Sequence, residues 1–196
     1  MTDVVPDFSP VRFFLPGVVI LALAAGVHAA PPTQPLRAGD LLPSMRGSFL
    51  TGKDVTLPAV SSGKTAVLIL GFTYGSRKSV EPWGDWCKKV MAGRPDLTFF
   101  EMPMIGGMGK LGRWFIDRGM RKSTPAELHE HVITVYSDVG DWKRRLGVSG
   151  ANEDDAFLVV VDGKGIVQWL HHGAFDAETG RTLEGVLAGH GSASAP

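Results

Sequence analysis

The chain has 196 residues, 44% of them hydrophobic and 20% charged, with 20 basic and 20 acidic residues and a formal net charge of zero. That length suits one domain with a sizeable core, and the composition excludes bulk disorder. Neutrality excludes any whole-surface charge argument for nucleic acid as a partner, and a single cysteine, Cys87, excludes an internal disulfide.

Phe13 to Val27 is an apolar run that ends in Val27-His28-Ala29-Ala30. Small or aliphatic residues three and one before a cut after Ala29 fit a secretory signal peptide over residues 1–29. The run is short for a membrane span. The expectation is an exported, periplasmic protein, or a periplasm-facing one if the segment is retained as an anchor. Pro-rich residues 30–39 read as a linker, 40–188 as the domain, and the Gly/Ala/Ser tail 189–196 as disordered.

Within the domain, Ser44 to Leu57 reads as a hairpin turning at Thr51-Gly52-Lys53-Asp54. Ala66 to Phe72 is a β-branched and aliphatic run of the kind buried on both faces of a parallel sheet. A polar turn follows, and Ser79 reads as the N-cap of a helix with Glu81 and Pro82 in its first turn and its end near Gly93. Trp83, Trp86, Cys87, Val90 and Met91 fall on one face of that helix, so Cys87 reads as a small buried hydrophobe. Leu97 to Met102 reads as a strand, 108–122 as a helix and Val132 to Tyr136 as a strand. Asp138 and Gly147 bound a short helix, and Asp162-Gly163-Lys164-Gly165 joins strands Phe157 to Val161 and Ile166 to Leu170. Asp176 opens a last helix with Leu183, Val186 and Leu187 facing in. Alternating β and α with a closing antiparallel hairpin predicts a three-layer α/β/α sandwich.

The stretch AVLILGFTYGSRKS is similar to the GFTYCxxxCP box of Sco-type copper chaperones, with Gly75 and Ser79 at the two cysteine positions. The resemblance implies a thioredoxin-like fold carrying an N-terminal hairpin and a helix-strand insertion at about 103–136, without the dithiol. Further along, SVEPWGDW, KLGRWFIDRGMRKSTPAELHEHVITVYSD and the Asp162 to Trp169 hairpin resemble the ATP-synthase assembly-chaperone family, that of mitochondrial ATPase complex assembly subunit 10. That resemblance spans roughly residues 40–188 and implies a factor that helps a membrane subunit to mature.

Two stretches are candidate partner-binding surfaces. Tyr74, Gly75, Ser76, Arg77 and Lys78 lie where open α/β sheets bind ligands, with helix amides and two bases available to an anion or a carboxylate. Lys110, Arg113, Trp114, Arg118 and Arg121 lie in a helix with five bases and one acid, Asp117. Two readings stand there: an interfacial helix meeting a membrane surface or membrane protein, and a packed helix with a basic outer face. His129 and His131, at i and i+2 of an expected strand, are weak metal candidates without a visible third ligand. Glu153-Asp154-Asp155 reads as a solvated loop before the strand that in thioredoxins follows a cis-proline; Ala156 stands there instead.

No catalytic triad order, phosphate loop or nucleotide fingerprint is present, so no cofactor and no enzymatic activity are expected. The expected function is a redox-inactive assembly factor or chaperone for a membrane complex, its partner a subunit of that complex. The rival readings are a redox protein using Cys87 and a periplasmic metal carrier.

Overall fold

A computed structural model of the chain describes residues 33–191; the signal-peptide reading of 1–29 lies outside them. The strands are β1 (Met45–Phe49), β2 (Asp54–Leu57), β3 (Thr65–Gly71), β4 (Leu97–Pro103), β5 (Ile133–Thr134), β6 (Phe157–Val161) and β7 (Val167–His172). The helices are α1 (Arg77–Val90), α2 (Lys110–Ser123), α3 (Val139–Leu146) and α4 (Ala177–Gly191).

Four strands form the main sheet in the order β4-β3-β6-β7, with β3 and β4 parallel and the other pairs antiparallel. β3 is central and wholly buried, which follows from its unbroken aliphatic sequence. Its side chains alternate between two cores. Val67 and Ile69 meet Val80, Trp83 and Cys87 of α1 and Leu183 and Leu187 of α4. Leu68 and Leu70 meet Met45, Phe49 and Leu57 of the N-terminal hairpin and Val139 and Trp142 of α3. The result is the expected three-layer sandwich. The hairpin extends it as a second sheet, β2-β1-β5, joined to β4 by parallel bridges at Glu101–Val132 and Met104–Val135.

Several boundaries differ from expectation. α1 begins at Arg77, not Ser79, because the preceding turn closes on itself early and leaves Pro82 inside the helix beyond its first turn. β5 is two residues long, since the segment 132–135 divides its pairing between β1 on one side and β4 on the other. His129 and His131 therefore precede the strand. Within the expected linker, Leu36 is already buried in the core and its amide donates to the Arg145 carbonyl at 2.9 Å. α4 continues to Gly191, into the segment expected to be a disordered tail. Asp138 does precede α3, from a left-handed conformation with φ 58°, but its side chain makes no cap bond. Asp176 caps α4 as expected, accepting from the Glu178 and Thr179 amides at 2.9 Å.

Candidate functional site

β3 and β4 run parallel, and β6 runs against them, so the turn after β3, the loop after β4 and the loop before β6 share one end of the main sheet. Met104 ties the second to the first by donating its amide to the Gly71 carbonyl at 2.8 Å.

The turn after β3 is bound to itself. The Ser76 hydroxyl donates to the Thr73 carbonyl at 2.7 Å, and the Ser76 amide donates to the Thr73 hydroxyl at 3.0 Å. The amides of Arg77, Lys78 and Ser79 each donate three residues back, to Tyr74, Gly75 and Ser76. The amides expected to hold an anion are thus already engaged. Arg77 pairs with Glu81 at 2.5 Å, both side chains more than half exposed, a contact of small energetic value. Tyr74 is 89% exposed and its hydroxyl lies beside the Arg77 guanidinium.

Asp154, from the loop before β6, reaches into this turn. Its carboxylate accepts from the Thr73 hydroxyl, and its carbonyl accepts from the Ser79 hydroxyl at 3.0 Å. A Cβ placed on Gly75 would fall inside van der Waals contact of the same carboxylate. Both residues at the expected cysteine positions, Gly75 and Ser79, therefore meet Asp154. The acidic loop is not simply solvated, because its neighbour Asp155 also pairs with His172 at 2.7 Å. Nothing in the sequence near residue 75 signals a partner about eighty positions away.

Cys87 lies a few turns along α1, fully buried. Burial, and secondarily the nearby Glu101, push its thiol well above the ordinary range. The thiolate needed for disulfide chemistry is disfavoured at this position. Glu101, on β4, fills a notch that exists only because Gly84 has no side chain. Burial first, then Glu81 and Asp85, raise its carboxyl from 4.5 to about 7. His171, stacked on Trp169 at 5.4 Å, is lowered by burial and by His172.

α2 leaves the same end of the sheet and is built differently. None of its residues is buried. Gly112, Arg113, Ile116, Asp117 and Met120 form a half-buried inward stripe, while Leu111, Trp114, Phe115, Arg118 and Lys122 face out. Leu111 is 71% exposed, Trp114 51% and Phe115 61%. Polar contacts hold the helix down. The Tyr136 hydroxyl donates to Asp117 at 2.6 Å, the Arg113 guanidinium lies 4.9 Å over the Tyr136 ring, and Arg121 Nε donates to the Leu50 carbonyl at 2.5 Å. Burial and Asp117 raise the Tyr136 phenol, keeping it a donor. A groove of about 370 Å³ lies between α2 and the outer face of the β2-β1-β5 sheet, lined by Arg46, Ser48, Thr56, Arg113, Thr134 and Tyr136. Gly119 faces outward with nothing within 4 Å of where a Cβ would stand.

The histidine pair does not converge. His129 Nε2 sits 3.0 Å from the Thr124 carbonyl, whereas His131 Nδ1 sits 3.0 Å from the Phe99 carbonyl and stacks on the Phe99 ring at 4.5 Å. The expected strand that would have aligned them is absent at those positions. Among the described residues no group of three or more His, Cys, Asp or Glu is placed to hold a metal.

The architecture has known counterparts. A solved structure assigned as the thiol:disulfide interchange protein DsbE of Chlorobium tepidum matches with a TM-score of 0.55 at 19% identity, covering 80% of this chain and 99% of that one. BsSco, a member of the Sco family of cytochrome c oxidase assembly proteins, matches with a TM-score of 0.56 at 13% identity, covering 82% and 99%. A thiol peroxidase from Chromobacterium violaceum matches with a TM-score of 0.51 at 14% identity, covering 80% and 88%. The fold is thioredoxin-like. No family model and none of the curated proteins matches the chain, so the expected kinship with ATP-synthase assembly chaperones gains no support, while the similarity to Sco stands. The expectation of no enzymatic activity needs correction as well. It rests on the absence of a recognisable catalytic constellation in the sequence, yet the scaffold is that of thiol:disulfide interchange proteins and a thiol peroxidase.

Proposed function

We propose that this chain is an exported assembly factor or chaperone that binds a subunit of a membrane complex, ATP synthase or another respiratory assembly, at the carboxyl end of β3 and β4. One observation carries the reading. Of the six exposed large apolar side chains among the described residues, five (Tyr74, Met108, Leu111, Trp114 and Phe115) belong to the turn, loop and helix that share this end. Such clustering marks an end of the molecule that faces a membrane assembly, protein or lipid, rather than scattered surface apolarity. The Asp154 plug supports binding through this end rather than thiol exchange, because it occupies the space a side chain at 75 would need. The apolar N-terminal sequence supports export.

The test is affinity capture from solubilised membranes with the tagged full chain, its Cys87→Ala variant, and a Tyr74→Ala/Arg77→Ala/Lys78→Ala variant. The expected result is enrichment of subunits of one respiratory complex by the first two and not by the third. Capture that disappears in Cys87→Ala, or that survives the triple change undiminished, would overturn the reading.

A further inference from the structure

We infer that the outer face of α2 is a lipid-contact face that lies on an anionic bilayer surface. This deepens the reading above by giving α2 to the lipid and leaving the Tyr74 turn to the protein partner, and the two can fail separately. The helix is about 20 Å long, at 1.5 Å per residue, and carries Lys110, Arg113, Arg118, Arg121 and Lys122 against Asp117 alone. The whole chain is neutral, so this positive charge is local to the helix.

The arrangement of that charge selects the occupant. Arg113 and Arg121 turn toward the body and hold the helix to Tyr136 and Leu50. Lys110, Arg118 and Lys122 are exposed around Leu111, Trp114 and Phe115. The Arg118 guanidinium lies 5.3 Å over the Trp114 ring, so base and aromatic share one surface. The centre of a protein interface is depleted in lysine and other charges. A helix at a headgroup boundary mixes bases with Trp, Leu and Phe, the rings entering the interface while long cationic side chains reach the phosphates. No helix of the described residues is long and apolar enough to cross a membrane, so α2 would lie along the surface.

The experiment uses the full chain with vesicles of phosphatidylglycerol or phosphatidylcholine carrying brominated acyl chains, reading quenching of tryptophan emission. Residues 1–32 are common to every variant, so differences between variants report α2. Trp114→Phe is expected to remove one component of the quenching on phosphatidylglycerol, a component absent on phosphatidylcholine. Raising ionic strength from roughly 0.1 M to roughly 1 M, which shortens the reach of charge from about 10 Å to about 3 Å, should suppress it. Lys110→Gln/Arg118→Gln/Lys122→Gln, which leaves the tethers to the body intact, should weaken the α2 contact about fivefold per base, roughly a hundredfold in all. Equal quenching in wild type and Trp114→Phe, or equal quenching on the two lipids, would overturn the inference. A Trp114 signal seen only with native membranes and never with pure lipid would also overturn it, assigning the face to a protein and leaving the assembly reading in place.

Discussion

The turn after β3 and helix α2 sit at the same end of the sheet and are held by opposite means. The turn is closed by reciprocal bonds between Thr73 and Ser76 and filled by Asp154 from across the sheet, so its polar groups are spent on the protein itself. α2 buries no residue and is pinned by a few polar contacts, leaving Leu111, Trp114 and Phe115 to whatever lies outside. The comparison teaches that one end of a fold can satisfy its polar groups internally at one element while leaving large apolar side chains uncovered at the next.

The body beneath the turn offers the largest test of this contrast. Glu101 has a raised pKa in the folded state, from 4.5 to about 7, so the folded protein binds more protons than the unfolded chain across that window. Stability should therefore fall as pH rises from about 4.5 to about 7, by up to about 3 kcal/mol at about 1.36 kcal/mol per pH unit. Urea titrations across that range should show the slope, and Glu101→Gln should flatten it. A Tm that rises over the same range in the wild type but not in the variant would be the wrong sign.

Next comes the turn. Gly75→Cys should cost about 1–3 kcal/mol by driving Cβ into the Asp154 carboxylate, and Asp154→Ala in the same chain should recover most of that loss. Additive losses in the double variant would show that Asp154 does not plug the site. For α2, Tyr136→Phe removes the hydrogen bond to Asp117 and should cost about 1 kcal/mol; its clearest readout is faster proteolysis within 110–123. The smallest effect belongs to the outer face. Leu111→Ser, Trp114→Ser and Phe115→Ser should each change folding stability by no more than about 0.5 kcal/mol, since their side chains are exposed. A large loss in thermal melts would mean that this face is packed in solution.

What was readable in the sequence follows from local patterns. The aliphatic run of β3, the Asp-Gly-Lys-Gly hairpin, the Asp176 cap and the Trp83–Cys87 face each carry their information within a few residues, and each folds as its pattern directs. The bare outer surface of α2 was visible as one of two readings, because Trp114 and Phe115 sit among bases. The remainder depends on residues far apart in the chain. Asp154 meets Thr73 across 81 positions, the half-buried Glu101 packs into the space that Gly84 leaves, and His129 and His131 diverge because β5 starts later than its alternation implied. The helix start at Arg77 escaped for the same reason: Ser79 resembles a cap but gives its hydroxyl to the Asp154 carbonyl, 75 positions along the chain.

Gly119 has open space where a side chain would stand, so nothing in the packing requires glycine there. A glycine within a helix weakens it by about 1 kcal/mol relative to alanine, and α2 has a second in Gly112. The helix therefore unwinds at little expense to either core, and its backbone amides should exchange with deuterium well before those of β3 and β6. Order in this segment then depends on what it touches. Contact with a surface would slow that exchange over residues 110–123 alone, making the isotope pattern a map of where the molecule rests.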